Sequence, residues 1–152
     1  MSLTGLQNVH HWTSVNLSDA PPGAILLGSM IKLMFVETRV FTECVRELMA
    51  DEAYRSFQSE LMRNPKKGEV IPGCCGLRKV RVGDPVRDKG KRGGLRAIYL
   101  HIPEVDRIVL IALYGKDKKD DLTEDEKKIL GVLAARMKQE AVQSLQRKRK
   151  GP

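Results

Sequence analysis

Two stretches in the middle of the chain alternate with a period of two. In Leu77-Arg78-Lys79-Val80-Arg81-Val82, one face collects Leu77, Lys79 and Arg81, and the other Arg78, Val80 and Val82. The second stretch, Leu95-Arg96-Ala97-Ile98-Tyr99-Leu100-His101, is rich in strand formers. Residues 83–94 between them are too polar for core and too rich in glycine for helix. The pattern predicts a hairpin in which Lys79, Arg81 and Arg96 approach one another. Upstream, residues 32–41 (KLMFVETRVF) read as a strand with Phe35 and Val40 in the core. Residues 42–49 read as a short helix with Cys44, Val45 and Leu48 inward, and Asp51 as the N-cap of a second. Tyr54, Phe57, Leu61 and Met62 form one apolar helical stripe, which Asn64-Pro65 terminates before a Lys66-Lys67-Gly68 turn.

Downstream, Ile102-Pro103-Glu104-Val105-Asp106 is a turn. Residues 107–114 (RIVLIALY) are apolar on both faces, which predicts a central strand. Thr123 and Glu126 make a Thr-x-x-Glu capping box. The helix that follows buries Ile129, Leu130, Leu133, Met137 and Ala141. The order predicts an α+β fold: a small antiparallel, mixed-edge sheet with two N-terminal helices and a C-terminal helix packed on it. The helices are expected on one face, leaving the other to the cations. Residues 1–33 are expected to be a disordered or loosely attached leader, with Met30 or Met34 as a candidate start of translation. Residues 34–146 form the domain, and residues 147–152 a basic tail.

Composition adds a direction. The chain of 152 residues suffices for one domain, and its net charge is +8. Residues 1–33 contribute no net charge, whereas residues 66–101 hold ten Lys and Arg against three acids. Cations are not gathered on a sheet without a counter-charge. The expected partner is a polyanion, and the footprint suits phosphate. Cys44, Cys74 and Cys75 make no disulfide framework and no C-x-x-C pattern, so a reducing, cytoplasmic compartment is expected and a zinc site is not. His10 and His11 lack further ligands in sequence. The longest early apolar run, residues 24–27, is too short for a membrane span.

With these elements placed, residues 34–140 resemble RelE-type toxins of bacterial toxin–antitoxin systems, in particular the HigB branch. The resemblance is carried by Phe35-Val36-Glu37-Thr38, Tyr54-Arg55-Ser56-Phe57-Gln58 with Leu61 and Asn64-Pro65, and Gly76-Leu77-Arg78-Lys79-Val80-Arg81. It continues through Gly90-Lys91-Arg92-Gly93-Gly94-Leu95-Arg96-Ala97-Ile98-Tyr99 and Tyr114-Gly115-Lys116. Cys75 stands where the family carries the first of two paired glycines, and Asp88 where relatives carry Gly.

The resemblance implies a RelE-like fold and a cytoplasmic, ribosome-dependent endoribonuclease (an mRNA interferase). Such an enzyme cuts mRNA in the ribosomal A site by attack of the neighbouring 2′-hydroxyl, inhibiting translation, without metal or cofactor. The implied partners are the 70S ribosome, mRNA and a cognate HigA-like helix-turn-helix antitoxin, with no membrane. In-line attack needs a base, charge stabilisation at the phosphorane and an acid for the leaving 5′-oxygen. Lys79, Arg81, Arg96 and Lys116 match the family's catalytic basic positions, and a lysine set among cations is a candidate for the base. Arg78, Lys89, Lys91, Arg92, Lys118 and Lys119 are the expected RNA- and ribosome-binding residues. Tyr99, His101 and Tyr114 are candidate accessory groups. Two alternatives stand beside this. One is a non-catalytic or inactivated RNA- or protein-binding module of the same fold. The other is a ParE-like toxin directed at gyrase, which the Lys79, Arg81 and Arg96 set disfavours.

Overall fold

A computed structural model describes the backbone of residues 9–14 and residues 33–83, 94–115 and 121–151. Its elements are β1 (Val9–Ser14), β2 (Met34–Thr38), α1 (Arg39–Leu48), α2 (Asp51–Arg63), β3 (Glu69–Val70), β4 (Arg78–Val82), β5 (Leu95–Ile102), β6 (Arg107–Gly115) and α3 (Glu124–Arg149). A short 3₁₀ turn, Pro103–Val105, joins β5 to β6. Among the described residues, the six strands form one sheet in the order β1-β2-β6-β5-β4-β3. Only β2 and β6 pair in parallel there; the other pairs are antiparallel. The fold of the described residues is therefore mixed α and β, with a mixed sheet and three α-helices, one of them C-terminal.

The strand expected over residues 32–41 ends early, because Thr38 caps α1. Its hydroxyl accepts from the Phe41 amide at 3.2 Å and donates to the Ile111 carbonyl at 2.7 Å. Val40 and Phe41 look strand-like by type, but the cap places them in the helix. At the next helix the expected cap is also displaced. Ala50 holds the N-cap position without a side-chain bond, and Asp51 is the first helical residue, where its charge still favours the helix dipole. The helix ends at Arg63, ahead of Asn64-Pro65 as the sequence predicts.

The hairpin of β4 and β5 forms in the expected alternation. Leu95, Ala97 and Tyr99 face one core, with Phe41 and Val45 of α1 and Phe57 and Leu61 of α2. Ile98, Leu100 and Ile102 face a second core, with Leu130, Ala134 and Ala141 of α3. Helices thus cover both sheet faces, which corrects the expectation of one open, cation-bearing face. The cause is visible in β5 and β6, whose residues are apolar on both sides and need cover on both. In β6, Ile111 is the extra residue of a bulge, since Ala112 opposes Ile98 and Leu110 opposes Tyr99. Thr38 satisfies the carbonyl at that bulge.

The start of α3 is fixed by the full capping box. Thr123 Oγ1 accepts from the Glu126 amide at 3.1 Å, and Glu126 Oε1 from the Thr123 amide at 3.0 Å. The stripe of α3 is rotated from the one expected. Ile129 is 52% exposed, whereas Gly131 and Ala134 are buried. Gly131 faces the Gly73 carbonyl, and a Cβ there would stand 3.1 Å from it, so the glycine lets the loop before β4 rest on the helix. Near that contact, the Cys74 thiol donates to the Lys127 carbonyl at 3.3 Å.

The leader was expected to hold no element, but Val9–Ser14 is an edge strand antiparallel to β2. Its residues (VHHWTS) carry no hydrophobic alternation that would mark them, since a backbone ladder supplies the pairing. The remainder of the leader lies outside the described residues.

Candidate nucleic-acid interface

Strand register brings the candidate residues together. Arg81 of β4 lies directly opposite Arg96 of β5, and Arg96 opposite Tyr114 of β6. Lys79 stands two residues before Arg81 on the same face of β4. This is the α3 face, shared with Leu77, Ile98 and Ile111. The row runs across three strands where β6 hands over to α3, so the first residues of α3 stand beside it.

The four side chains differ in environment. Arg81 is exposed. Arg96 is 6% exposed, and its contacts include one from Nη1 to the Leu95 carbonyl at 3.4 Å. The expectation of a cation open to solvent is therefore corrected for Arg96, which is buried on the sheet face that carries the α3-side core. Lys79 Nζ lies 3.1 Å from Asp121 Oδ1. The same oxygen accepts from the Leu122 amide at 2.8 Å. That backbone bond and the Lys79 ammonium hold the Asp121 carboxyl below the usual carboxylate range. Lys79 thus has an acidic neighbour, and the premise that only cations surround it does not hold.

Tyr114 is 7% exposed. Among the described residues its hydroxyl has no hydrogen-bond partner. Burial and then the Asp121 charge push its phenol up to about 12, against the influence of Arg96. The hydroxyl is a neutral donor at neutral pH, on the strand position directly opposite Arg96.

The other candidates lie elsewhere. Arg78 is on the opposite face of β4, where Nη1 donates to the Lys66 carbonyl at 2.8 Å and the Gly68 carbonyl at 3.2 Å. The Tyr99 hydroxyl reaches the Pro65 carbonyl at 3.0 Å and the Lys67 carbonyl as well. These two side chains pin the turn that leads into β3. Gly68 has φ +86°, and a Cβ there would collide with the Lys79 carbonyl, so the turn fits β4 only as glycine. His101 is partly buried on the same side as Arg78. Burial, then the charges of Lys66 and Arg78, lower its affinity for a proton. Of the accessory groups, only Tyr114 shares the face of Lys79, Arg81 and Arg96.

Lys116, Lys118 and Lys119, and also Lys89, Lys91, Arg92 and Asp88, lie outside the described residues. Asp121 is not among the site residues expected from the sequence. Its signal was its place: an acid two residues before an N-cap, at the point where the chain turns back over a basic strand face.

Cys44, Cys74 and Cys75 form no disulfide. Among the described residues no three His, Cys, Asp or Glu side chains converge, and no helix is long and apolar enough to cross a membrane. No family model matches the chain.

Proposed function

We propose that this chain is a RelE-type toxin of the HigB branch, a ribosome-dependent endoribonuclease neutralised by a helix-turn-helix antitoxin. The observation that carries the reading is the Arg81–Arg96–Tyr114 row with Lys79 beside it. Two guanidinium forks and an ammonium suit a phosphodiester whose charge grows at the phosphorane. A tyrosine hydroxyl beside them suits proton donation to the leaving 5′-oxygen. The attack of the 2′-hydroxyl on phosphorus forms the 2′,3′-cyclic phosphate as the P–O5′ bond breaks. Lys116 completes the proposed catalytic set, and Lys89, Lys91, Arg92, Lys118 and Lys119 the proposed RNA-binding set. Arg78, tied to its turn on the other face, enters the proposal as a support of the sheet edge.

One observation favours a second reading, a non-catalytic RNA- or protein-binding module of the same fold. Lys79 already has Asp121 as a counter-charge and Arg96 is covered, so part of the basic cluster is satisfied without RNA.

Reconstituted translation separates the readings. The endoribonuclease halts synthesis with the message cut, and leaves gyrase supercoiling and ribosome-free RNA untouched. Synthesis that continues on an intact message would support the binding module. Loss of supercoiling would support a gyrase-directed toxin.

A further inference from the structure

Lys79 has two acids within reach of its strand position. Glu69 is its direct partner across β3 and β4, yet the ammonium turns to Asp121. Lys79 carries its charge on a flexible four-carbon stem. Asp121, by contrast, is short and held. Its Oδ1 takes the Leu122 amide at 2.8 Å, Leu122 is 5% exposed in the α3-side core, and Thr123 opens the capping box. Three consecutive residues therefore fix the carboxylate relative to the sheet.

We propose that Asp121 is the positioning residue of the site: it sets the Lys79 ammonium beside the Arg81–Arg96–Tyr114 row, and the capped start of α3 sets Asp121. The proposal rests on the endoribonuclease reading. Asp121 acts through Lys79 and not on the substrate. Its charge also offsets the repulsion among Lys79, Arg81 and Arg96 before RNA arrives. A carboxylate serves here better than an amide because it supplies both the acceptor and the counter-charge.

The test is ribosome-dependent cleavage by wild type, Asp121→Ala, Asp121→Asn, Lys79→Ala and the Lys79→Ala/Asp121→Ala double variant, each with a thermal melt. Asp121→Ala is expected to lower kcat by roughly ten- to a hundredfold while KM for programmed ribosomes stays within about twofold. Asp121→Asn keeps the acceptor for Leu122 and Lys79, and is expected to recover part of the loss. The double variant is expected to cut at the rate of Lys79→Ala alone, because the two residues form one unit. Undiminished cleavage by Asp121→Ala overturns the proposal. Faster cleavage also overturns it, and shows that the carboxylate competes with phosphate for Lys79. Additive losses in the double variant overturn it too, since Asp121 would then act independently of Lys79. Should wild type leave messages intact on ribosomes, the endoribonuclease reading fails and this proposal with it; the other failures leave that reading standing.

Discussion

Arg81 and Arg96 face each other across two strands, yet one is exposed and the other is 6% exposed. Substituting them therefore tests different things. Arg81→Ala removes a solvated cation opposed to another cation, so stability should change by no more than about 0.5 kcal/mol. Arg96→Ala empties a covered position, and a loss of roughly 1–3 kcal/mol is expected. Either change should cost about 10²–10³ in cleavage rate if both arginines stabilise the phosphorane. Chemical denaturation beside cleavage kinetics checks the contrast, and equal stability losses would show that the two arginines do not differ in packing. Cys75 makes a second residue-scale case. Its φ is +54°, a left-handed value that an L side chain adopts at a cost, and the next residue, Gly76, has φ +91°. The exposed Cys75 side chain offers no packing in return. Cys75→Gly should raise stability by about 0.5–1 kcal/mol, read as a higher denaturation midpoint. A lower midpoint would mean that the thiol contributes something the backbone conformation does not reveal.

At the scale of elements, Thr38 joins three parts at once: the end of β2, the cap of α1 and the bulge of β6. Thr38→Val keeps the shape and removes both hydrogen bonds. A loss of about 2 kcal/mol is expected from the missing cap and the unsatisfied Ile111 carbonyl. A loss below about 0.5 kcal/mol would make the two bonds energetically idle. The same residue shows where sequence reading stopped. The run Thr38-Arg39-Val40-Phe41 has strand-like residue types, and only the cap geometry turns it into helix. By contrast, the β4–β5 hairpin, the stripe of Phe57 and Leu61, and the Thr123–Glu126 box were legible because each depends on local spacing. The placement of α3 was half legible. Apolar positions on both sides of residues 107–114 called for cover on both faces or for shielding by long side chains, and the helices were expected on one face. The edge strand at residues 9–14 left no mark, because pairing at an edge uses backbone groups and demands little of the side chains.

For the molecule as a whole, the site was legible as a set of residues and not as an arrangement. Strand alternation correctly gathered Lys79, Arg81 and Arg96 on one face. What covers that face depends on α3 returning across the sheet, a long-range event that brings Asp121 to Lys79. The opposite face has its own pH response. His101 binds a proton less readily when folded, owing to burial and to Lys66 and Arg78. The unfolded chain therefore holds more protons just below the ordinary histidine value of about 6.5. The resulting stability is present above that pH and is lost as pH falls through the folded value. His101→Gln should flatten this part of a melting-temperature profile, and an unchanged slope would show that His101 is free of its cationic neighbours in solution. The central claim concerns the other face, and the most direct measurement is the chemistry of the ends on messages recovered from ribosomes. Wild type is predicted to leave breaks within the A-site codon, upstream fragments ending in 2′,3′-cyclic phosphate, and naked RNA whole, with Arg81→Ala slower by about 10²–10³. Intact messages on ribosomes, or breaks that Arg81→Ala makes at the wild-type rate, would contradict it.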